Sequence, residues 1–137
     1  MTAFKEKALA FLEEGYTCAI VGKDKTLCSK ERGVRPLLAW LKSGEDCAQS
    51  VAADKVVGKA AAYLYVLLSV KEVYAKILSV AAEEVFLRYE IAYAYEEKVP
   101  AIRNRKGDGF CPMEQAVWEI DEPQKAYEAI LEKTKEL

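Results

Sequence analysis

The chain has 137 residues, 52% of them hydrophobic and 31% charged, which is typical of a globular protein and predicts a single domain over residues 1–137. Twenty basic and twenty-two acidic residues give a net charge of −2, which excludes the broad positive surface of a nucleic-acid-binding protein. The sequence contains no histidine, and this excludes hydrolases that rely on histidine and zinc enzymes that bind the metal through it.

Three further features predict a cytoplasmic protein. Charges at residues 5–7 interrupt the apolar region that a signal peptide would need. The longest uncharged run, Ala60 to Val70, is much shorter than the roughly 18–20 residues of a transmembrane helix, so we expect no membrane contact. The four cysteines are too far apart for a Cys-x-x-Cys motif: Cys18, Cys28, Cys47 and Cys111. We expect reduced thiols, no metal ion and no other cofactor.

The first half of the chain predicts a helix, a hairpin and two more helices. Apolar residues repeat at helical spacing from Thr2 to Glu14, before a glycine that is a natural stop. Two apolar stretches then flank the polar turn 22–25, as in an antiparallel hairpin. Pro36 begins a short helix. Asp54 is expected to cap a central helix that runs to about Leu68, and its apolar sides predict that it is buried.

The second half alternates strands and helices. Composition and periodicity predict a strand at 73–78, a helix at 80–88 and a strand at 91–95, which together form a parallel crossover. Residues 99–104 are expected to add an edge strand, because Pro100 cannot donate to a central ladder. Helices over 115–120 and from Pro123 onward complete the chain. The sequence therefore predicts an α/β protein with a mixed sheet of four to five strands.

The order of these elements resembles the cytidine deaminase-like fold, and three motifs narrow the resemblance. They are Glu-Arg-Gly-Val-Arg-Pro-Leu-Leu at 31–38, Ala-Asp-Lys-Val-Val-Gly-Lys-Ala-Ala at 53–61, and Gly-Asp-Gly-Phe-Cys-Pro-Met-Glu at 107–114. Together they resemble an uncharacterised bacterial and archaeal family, a domain of unknown function with a deaminase-like fold, over roughly residues 8–130. The resemblance implies three layers, α/β/α, with an N-terminal β-hairpin and a buried central helix. It implies no activity.

Zinc deaminases carry a histidine or cysteine ligand and a glutamate at the start of the central helix, and a Pro-Cys-x-x-Cys pair at the start of the next helix. In this sequence Asp54 stands about where the first ligand belongs, and the next helix begins at Ser79 with Val-Ala-Ala and no cysteine. A tetrahedral zinc site needs such soft ligands. The resemblance therefore implies a deaminase scaffold without the deaminase metal.

Cys111 is a candidate catalytic residue because it precedes Pro112 at a predicted helix start. The helix dipole and the free N–H groups there favour the thiolate, which predicts a lowered pKa. Glu114, three residues on, is expected to close the cap as in a capping box. Two interpretations remain open: a helix cap in a tight loop, or a reactive or ligand-contacting thiol. Nearby Arg103 and Arg105 favour the second.

Asp54, Lys55 and Lys59 are predicted on the first turns of the central helix, with the two lysines on one face. Ligands of α/β proteins gather at helix N-termini and at the carboxyl ends of strands. The group is therefore either a nucleophilic or ribose-binding carboxylate beside phosphate-pairing lysines, or an N-cap with two solvated lysines. Gly58 inside a helix costs about 1 kcal/mol relative to alanine, which points to a close approach of backbone or ligand.

Arg103 and Arg105 precede the glycine turn 107–109, which either holds a phosphate or is a solvated loop. The leading hypothesis is a protein that binds a nucleotide or nucleoside-like small molecule among these candidate residues. The second is an enzyme that uses Cys111 or Asp54 as nucleophile or base on a ribosyl or nucleobase substrate. The third is a catalytically inactive scaffold for protein contacts. A homo-oligomer is compatible with each of these.

Overall fold

The structure is a computed structural model that describes residues 2–103, 107, 109 and 111–135. Its centre is a five-stranded mixed sheet in the order β2-β1-β3-β4-β5. Strand β1 is antiparallel to both β2 and β3, whereas β3, β4 and β5 are parallel to one another. The strands are β1 (Cys18–Gly22), β2 (Lys25–Ser29), β3 (Val51–Val57), β4 (Glu72–Ser79) and β5 (Ala92–Val99).

Helices cover both faces of this sheet unequally. They are α1 (Thr2–Glu13), α2 (Arg35–Lys42), α3 (Lys59–Leu68), α4 (Val80–Arg88), α5 (Pro112–Val117) and α6 (Pro123–Thr134). On one face α1 packs alone against β1 and β3, where Ala8 and Leu12 meet Val21 and Ala53. The other helices cover the opposite face, and α3 lies at the centre of the main core. The predicted α/β class and mixed sheet are confirmed.

Several local elements form where the sequence predicts them. Helix α1 ends before Gly15, whose φ of +101° is the left-handed conformation that glycine adopts without strain. The hairpin closes through a two-residue turn between Gly22 and Lys25. The β4-α4-β5 crossover is also confirmed, with β5 parallel to β4. Among the residues that the structure describes, no helix has the length and apolar character needed to cross a bilayer.

The prediction for residues 53–68 is wrong in its first part. Residues Val51–Val57 are a central strand, and the helix begins only at Lys59 after the N-cap Gly58. A central strand with both faces covered is as continuously apolar as a buried helix, so its sequence periodicity does not separate the two. Strand β3 hydrogen-bonds to β1 and β4, which are distant in sequence. As a result, β3-α3-β4 is a second crossover that the sequence analysis missed.

Two boundaries near the C-terminal half also differ from the prediction. Residues 99–104 were expected to form an edge strand, but β5 ends at Val99, and of the described residues that follow only Arg103 makes a single bridge. The helix predicted to start at Pro112 and to continue over 115–120 begins at Pro112 as expected but ends earlier, at Val117. Proline is well suited to the first turn of a helix, because its missing N–H would have no partner there.

Candidate functional site

Strands β3, β4 and β5 all finish at one end of the sheet, at Val57, Ser79 and Val99. We call this end the carboxyl edge. Helices α3 and α4 begin there directly after their strands. Helix α5 packs against α3, which begins at this edge. Ligands of open α/β sheets bind at such an edge.

The start of α3 is closed by a carboxylate from another helix. Both oxygens of Glu114 on α5 accept backbone hydrogen bonds, one from Lys59 N and one from Ala60 N, each at 2.8 Å. Only 3% of Glu114 is exposed, and burial raises its pKa while the two N–H donors oppose that rise. A Cβ atom on Gly58 would lie 2.5 Å from Glu114 Oε1. Glycine is therefore needed for this carboxylate to reach the helix.

Two side chains of α3 extend the contact with α5 and the turn after it. The Lys59 ammonium donates to the carbonyl oxygen of Trp118 at 2.8 Å and lies 5.9 Å from the ring centroids of both Tyr63 and Trp118. The Tyr63 hydroxyl donates to the carbonyl oxygen of Ile120 at 2.9 Å. With the Glu114 carboxylate, these bonds join α3 to α5 and to the turn that follows it.

A buried carboxyl group and a buried tyrosine hydroxyl form a hydrogen-bonded pair below the carboxyl edge. Asp54 on β3 is 8% exposed, and its Oδ2 accepts a 2.6 Å hydrogen bond from the hydroxyl of Tyr65 on α3, which is fully buried. Burial raises the pKa of Asp54 from 3.8 to about 7, although bonds from Tyr65 and from backbone N–H groups favour the charged form. Cys18 lies opposite Asp54 in the β1–β3 register, and burial followed by the nearby carboxylate raises its pKa. Asp54 therefore titrates near neutral pH.

Comparison with known proteins identifies the family. A family model for a domain of unknown function, DUF1893, matches residues 7–134. The chain belongs to this family. A crystal structure of a DUF1893 family protein from Thermotoga maritima has 26% sequence identity to it and a TM-score of 0.88, over 97% of this chain and 91% of that one. No curated protein matches the chain. Membership of a family of unknown function is confirmed, and the descriptions of these relatives state no ligand.

The structure separates the candidate residues that the sequence grouped on one helix. In this DUF1893 protein Asp54 and Lys55 are neighbours on a strand and point to opposite faces of the sheet, Asp54 toward α3. Lys59 is in α3, so the two lysines do not share a helix face. The expectation that Asp54 caps the central helix is wrong, because Gly58 holds the N-cap position. Only Lys59 of the three stands at a helix start.

The second predicted group is brought to the carboxyl edge in part. Cys111 is the N-cap residue of α5, as predicted, but its side chain makes no capping hydrogen bond. It is partly exposed, and its N–H donates to the carbonyl oxygen of Ile102 at 3.1 Å. Arg103 is exposed, and Arg105 lies outside the described residues. The capping-box prediction for Glu114 is wrong, because its carboxylate reaches α3 rather than its own helix.

Sequence reasoning missed two residues of the site. Ser79 caps α4 with its Oγ, which accepts from Ala82 N at 3.0 Å, and a serine just before a helical pattern is a signal that could have revealed it. Tyr65 was assigned only to the apolar central helix. A buried tyrosine hydroxyl needs a partner, but the sequence does not say which residue provides it.

The residues at the helix starts do not fit the zinc ion of deaminases. Helix α3 begins Gly58-Lys59-Ala60 and α4 begins Ser79-Val80-Ala81, with no histidine or cysteine in either turn. Within the described residues no group of three histidine, cysteine, aspartate or glutamate side chains is placed to hold a metal ion. Helix α3 begins at Lys59, so Asp54 does not lie at a helix start.

Two surface clefts of the described residues lie away from the carboxyl edge. One, of about 470 Å³, is lined by α2 and α6 residues such as Lys42 and Leu131. The other, of about 550 Å³, lies beside the β1–β2 turn near Gly22 and Ser50, at the opposite end of the sheet. Neither contains a candidate residue named above.

Proposed function

We propose that this DUF1893 protein has a cytidine deaminase-like fold and binds a nucleotide or nucleoside-like small molecule at its carboxyl edge. The observation that carries the proposal is the convergence of three parallel strand ends and two helix starts at the carboxyl edge. The strand order and the succession of helix, hairpin and two crossovers support the deaminase-like assignment.

The chemistry of this edge suits a ligand with an apolar ring and an anionic group. Val56 and Trp118, both at this edge, are 42% and 41% exposed. Such surfaces accept the face of a nucleobase. The first N–H groups of α4 lie at the same edge and favour an anion. Arg103, four residues after the end of β5, adds an exposed cation.

The proposed pocket differs from the one inferred from sequence. Lys59 and Glu114 hold α3 and α5 together, so in the proposal they shape the edge and do not contact the ligand. The contacts fall instead to Arg103 and Cys111. The four cysteines are free thiols, as in a reducing compartment, and this supports a role in the cytoplasm.

Thermal unfolding with adenosine, cytidine, their monophosphates and inorganic phosphate tests the proposal. A ligand at 100 times its Kd stabilises the folded state by about 2.7 kcal/mol, which raises the Tm of a chain of this size by roughly 10 °C. Arg103→Ala should reduce the rise with the monophosphates. Arg88→Ala, at the other end of α4, is the matched control and should respond like the wild type. If none of these compounds raises the Tm at millimolar concentration, the proposal fails.

An enzyme is the second candidate, and the titration of Asp54 favours it. A general base works best when its pKa is near the working pH, and Asp54 has a pKa of about 7 beside the Tyr65 hydroxyl. Incubation of the same nucleosides and nucleotides with wild type and with Asp54→Asn, followed by mass spectrometry, separates the two functions. A product formed by the wild type alone supports the enzyme; unchanged compounds in both samples contradict it.

A further inference from the structure

Strand β5 forms an exposed edge of the sheet. It is the last strand in the order, and among the described residues none pairs with its outer side. Six of its eight residues are exposed, and it contains no proline. A strand of this kind presents a row of free N–H and C=O groups that another strand can pair with. Tyr95, near its middle, is 41% exposed and stacks on Tyr93 at 6.4 Å between ring centroids.

The outer face of α4 adds an apolar stripe beside this edge. Val80 and Leu87, seven residues apart on one side of the helix, are 41% and 63% exposed. Glu83 lies between them on the same side and contacts β5, since its carboxylate accepts from the Tyr93 hydroxyl at 2.9 Å and from Lys98 Nζ at 3.1 Å. Three of the five large exposed hydrophobic side chains of the described residues therefore lie along the β5 side of the sheet: Val80, Leu87 and Tyr95.

A two-fold axis perpendicular to the sheet would make this surface complementary to itself. Glu83 is midway between Val80 and Leu87, and the β5 residues it contacts, Tyr93 and Lys98, have their midpoint beside Tyr95. An axis next to Tyr95 therefore places Leu87 of one copy against Val80 of the other. Helix α4 packs on β4 and β5, so with strands about 4.8 Å apart the two α4 axes would be about 10 Å apart, a normal helix packing distance.

Repulsion between glutamates of the two β5 strands determines the register in which they can pair. An axis at Glu96 or Glu97 would set each glutamate directly against its own copy, and like charges that face each other across strands are destabilising. An axis at Tyr95 pairs Tyr95 with Tyr95 and sets Glu97 against Tyr93, with no like charges opposite one another. An aromatic pair at this position is favourable.

The area of this surface is sufficient for a dimer. Eight residues of strand are about 26 Å long, and the sheet and helix layers together are about 20 Å thick, so the two copies would bury about 1,000 Å² in total. That area reaches the lower limit for a specific interface. We infer that two copies of this chain associate through β5 and α4 about this axis, and that their sheets join into one of ten strands.

Sedimentation analysis of the full chain and three variants tests the inference. The wild type should have about twice the 15.3 kDa of one chain. Leu87→Lys and Tyr95→Lys should halve that mass, because each places a lysine in the interface without disturbing the core. Val56→Lys is the matched control, since Val56 is 42% exposed but lies on β3, and it should remain dimeric. A monomeric wild type, or a dimer that persists in both interface variants, would overturn the inference.

Cross-linking tests the register independently of stability. Directly opposite residues of antiparallel strands have Cα atoms about 4.5–5.5 Å apart, which a disulfide can span, so Tyr95→Cys should form a covalent dimer under mild oxidation. Lys98→Cys is the control, because the two copies of that residue would lie about 20 Å apart. A wild-type level of cross-linking in Tyr95→Cys, or an equal yield from both variants, would contradict this geometry.

Discussion

The buried carboxyl group of Asp54 predicts an unusual dependence of stability on pH. Its pKa rises from 3.8 in the unfolded chain to about 7 in the folded protein, because burial disfavours the charge. The folded state therefore binds this proton more tightly than the unfolded state. The stabilisation is complete below pH 3.8 and is lost as the pH rises through 7. Most carboxylates that form ion pairs have the opposite effect.

The size of the effect follows from the two pKa values. Between pH 5 and pH 8 the titration of Asp54 should lower the free energy of unfolding by about 2.6 kcal/mol. Asp54→Asn keeps an oxygen that accepts from the Tyr65 hydroxyl but cannot titrate. The difference in stability between the variant and the wild type should therefore change by about this amount over the same range, in favour of the variant at pH 8.

Urea unfolding of both proteins at pH 5, 6, 7 and 8 measures this difference. The comparison cancels the contributions of all other ionisable groups, including the buried Glu114. Asp24→Asn, in the exposed hairpin turn, is the matched control and should show a constant difference from the wild type. If Asp54→Asn also stays parallel to the wild type from pH 5 to pH 8, the argument from burial is refuted.

Substitutions at three other positions test the contacts at the helix starts. Glu114→Ala removes the acceptor for two backbone N–H groups of α3 and should lower the free energy of unfolding by about 3 kcal/mol, with Glu114→Gln about half as costly. Gly58→Ala should lower the free energy of unfolding in urea by about 2 kcal/mol, because the new Cβ atom would clash with the Glu114 carboxylate. In the Glu114→Ala background the clash is absent, so the same substitution should cost much less. Equal costs in the two backgrounds would contradict the geometry. Ser79→Ala should cost about 1 kcal/mol and lower the Tm by about 3 °C; an unchanged Tm would exclude its capping role.

The local elements of the fold could be predicted from the sequence because their signals lie within a few residues. The stop at Gly15, the polar turn of the hairpin and the periodicity of α4 each depend on neighbours in the chain. Composition also excluded two classes of enzyme, because a chain without histidine can be neither a hydrolase that relies on histidine nor a zinc enzyme that binds the metal through it. The candidate residues Cys111 and Lys59 were correctly expected near helix starts.

The tertiary structure alone decided which residues meet. Strand β3 forms because β1 and β4 pair on its two sides, and those partners are distant in sequence, so its apolar run by itself predicts a helix. Glu114 caps a helix that begins 55 residues before it, and Tyr65 reaches across to Asp54. Local patterns predict helix and strand ends from chain neighbours, whereas burial and long-range hydrogen bonds assign each polar group its partner. The absence of histidine excluded histidine-dependent hydrolases and histidine-ligated zinc enzymes. The packing of α3 against β3 and α5 determined that the carboxyl groups of Asp54 and Glu114 are buried.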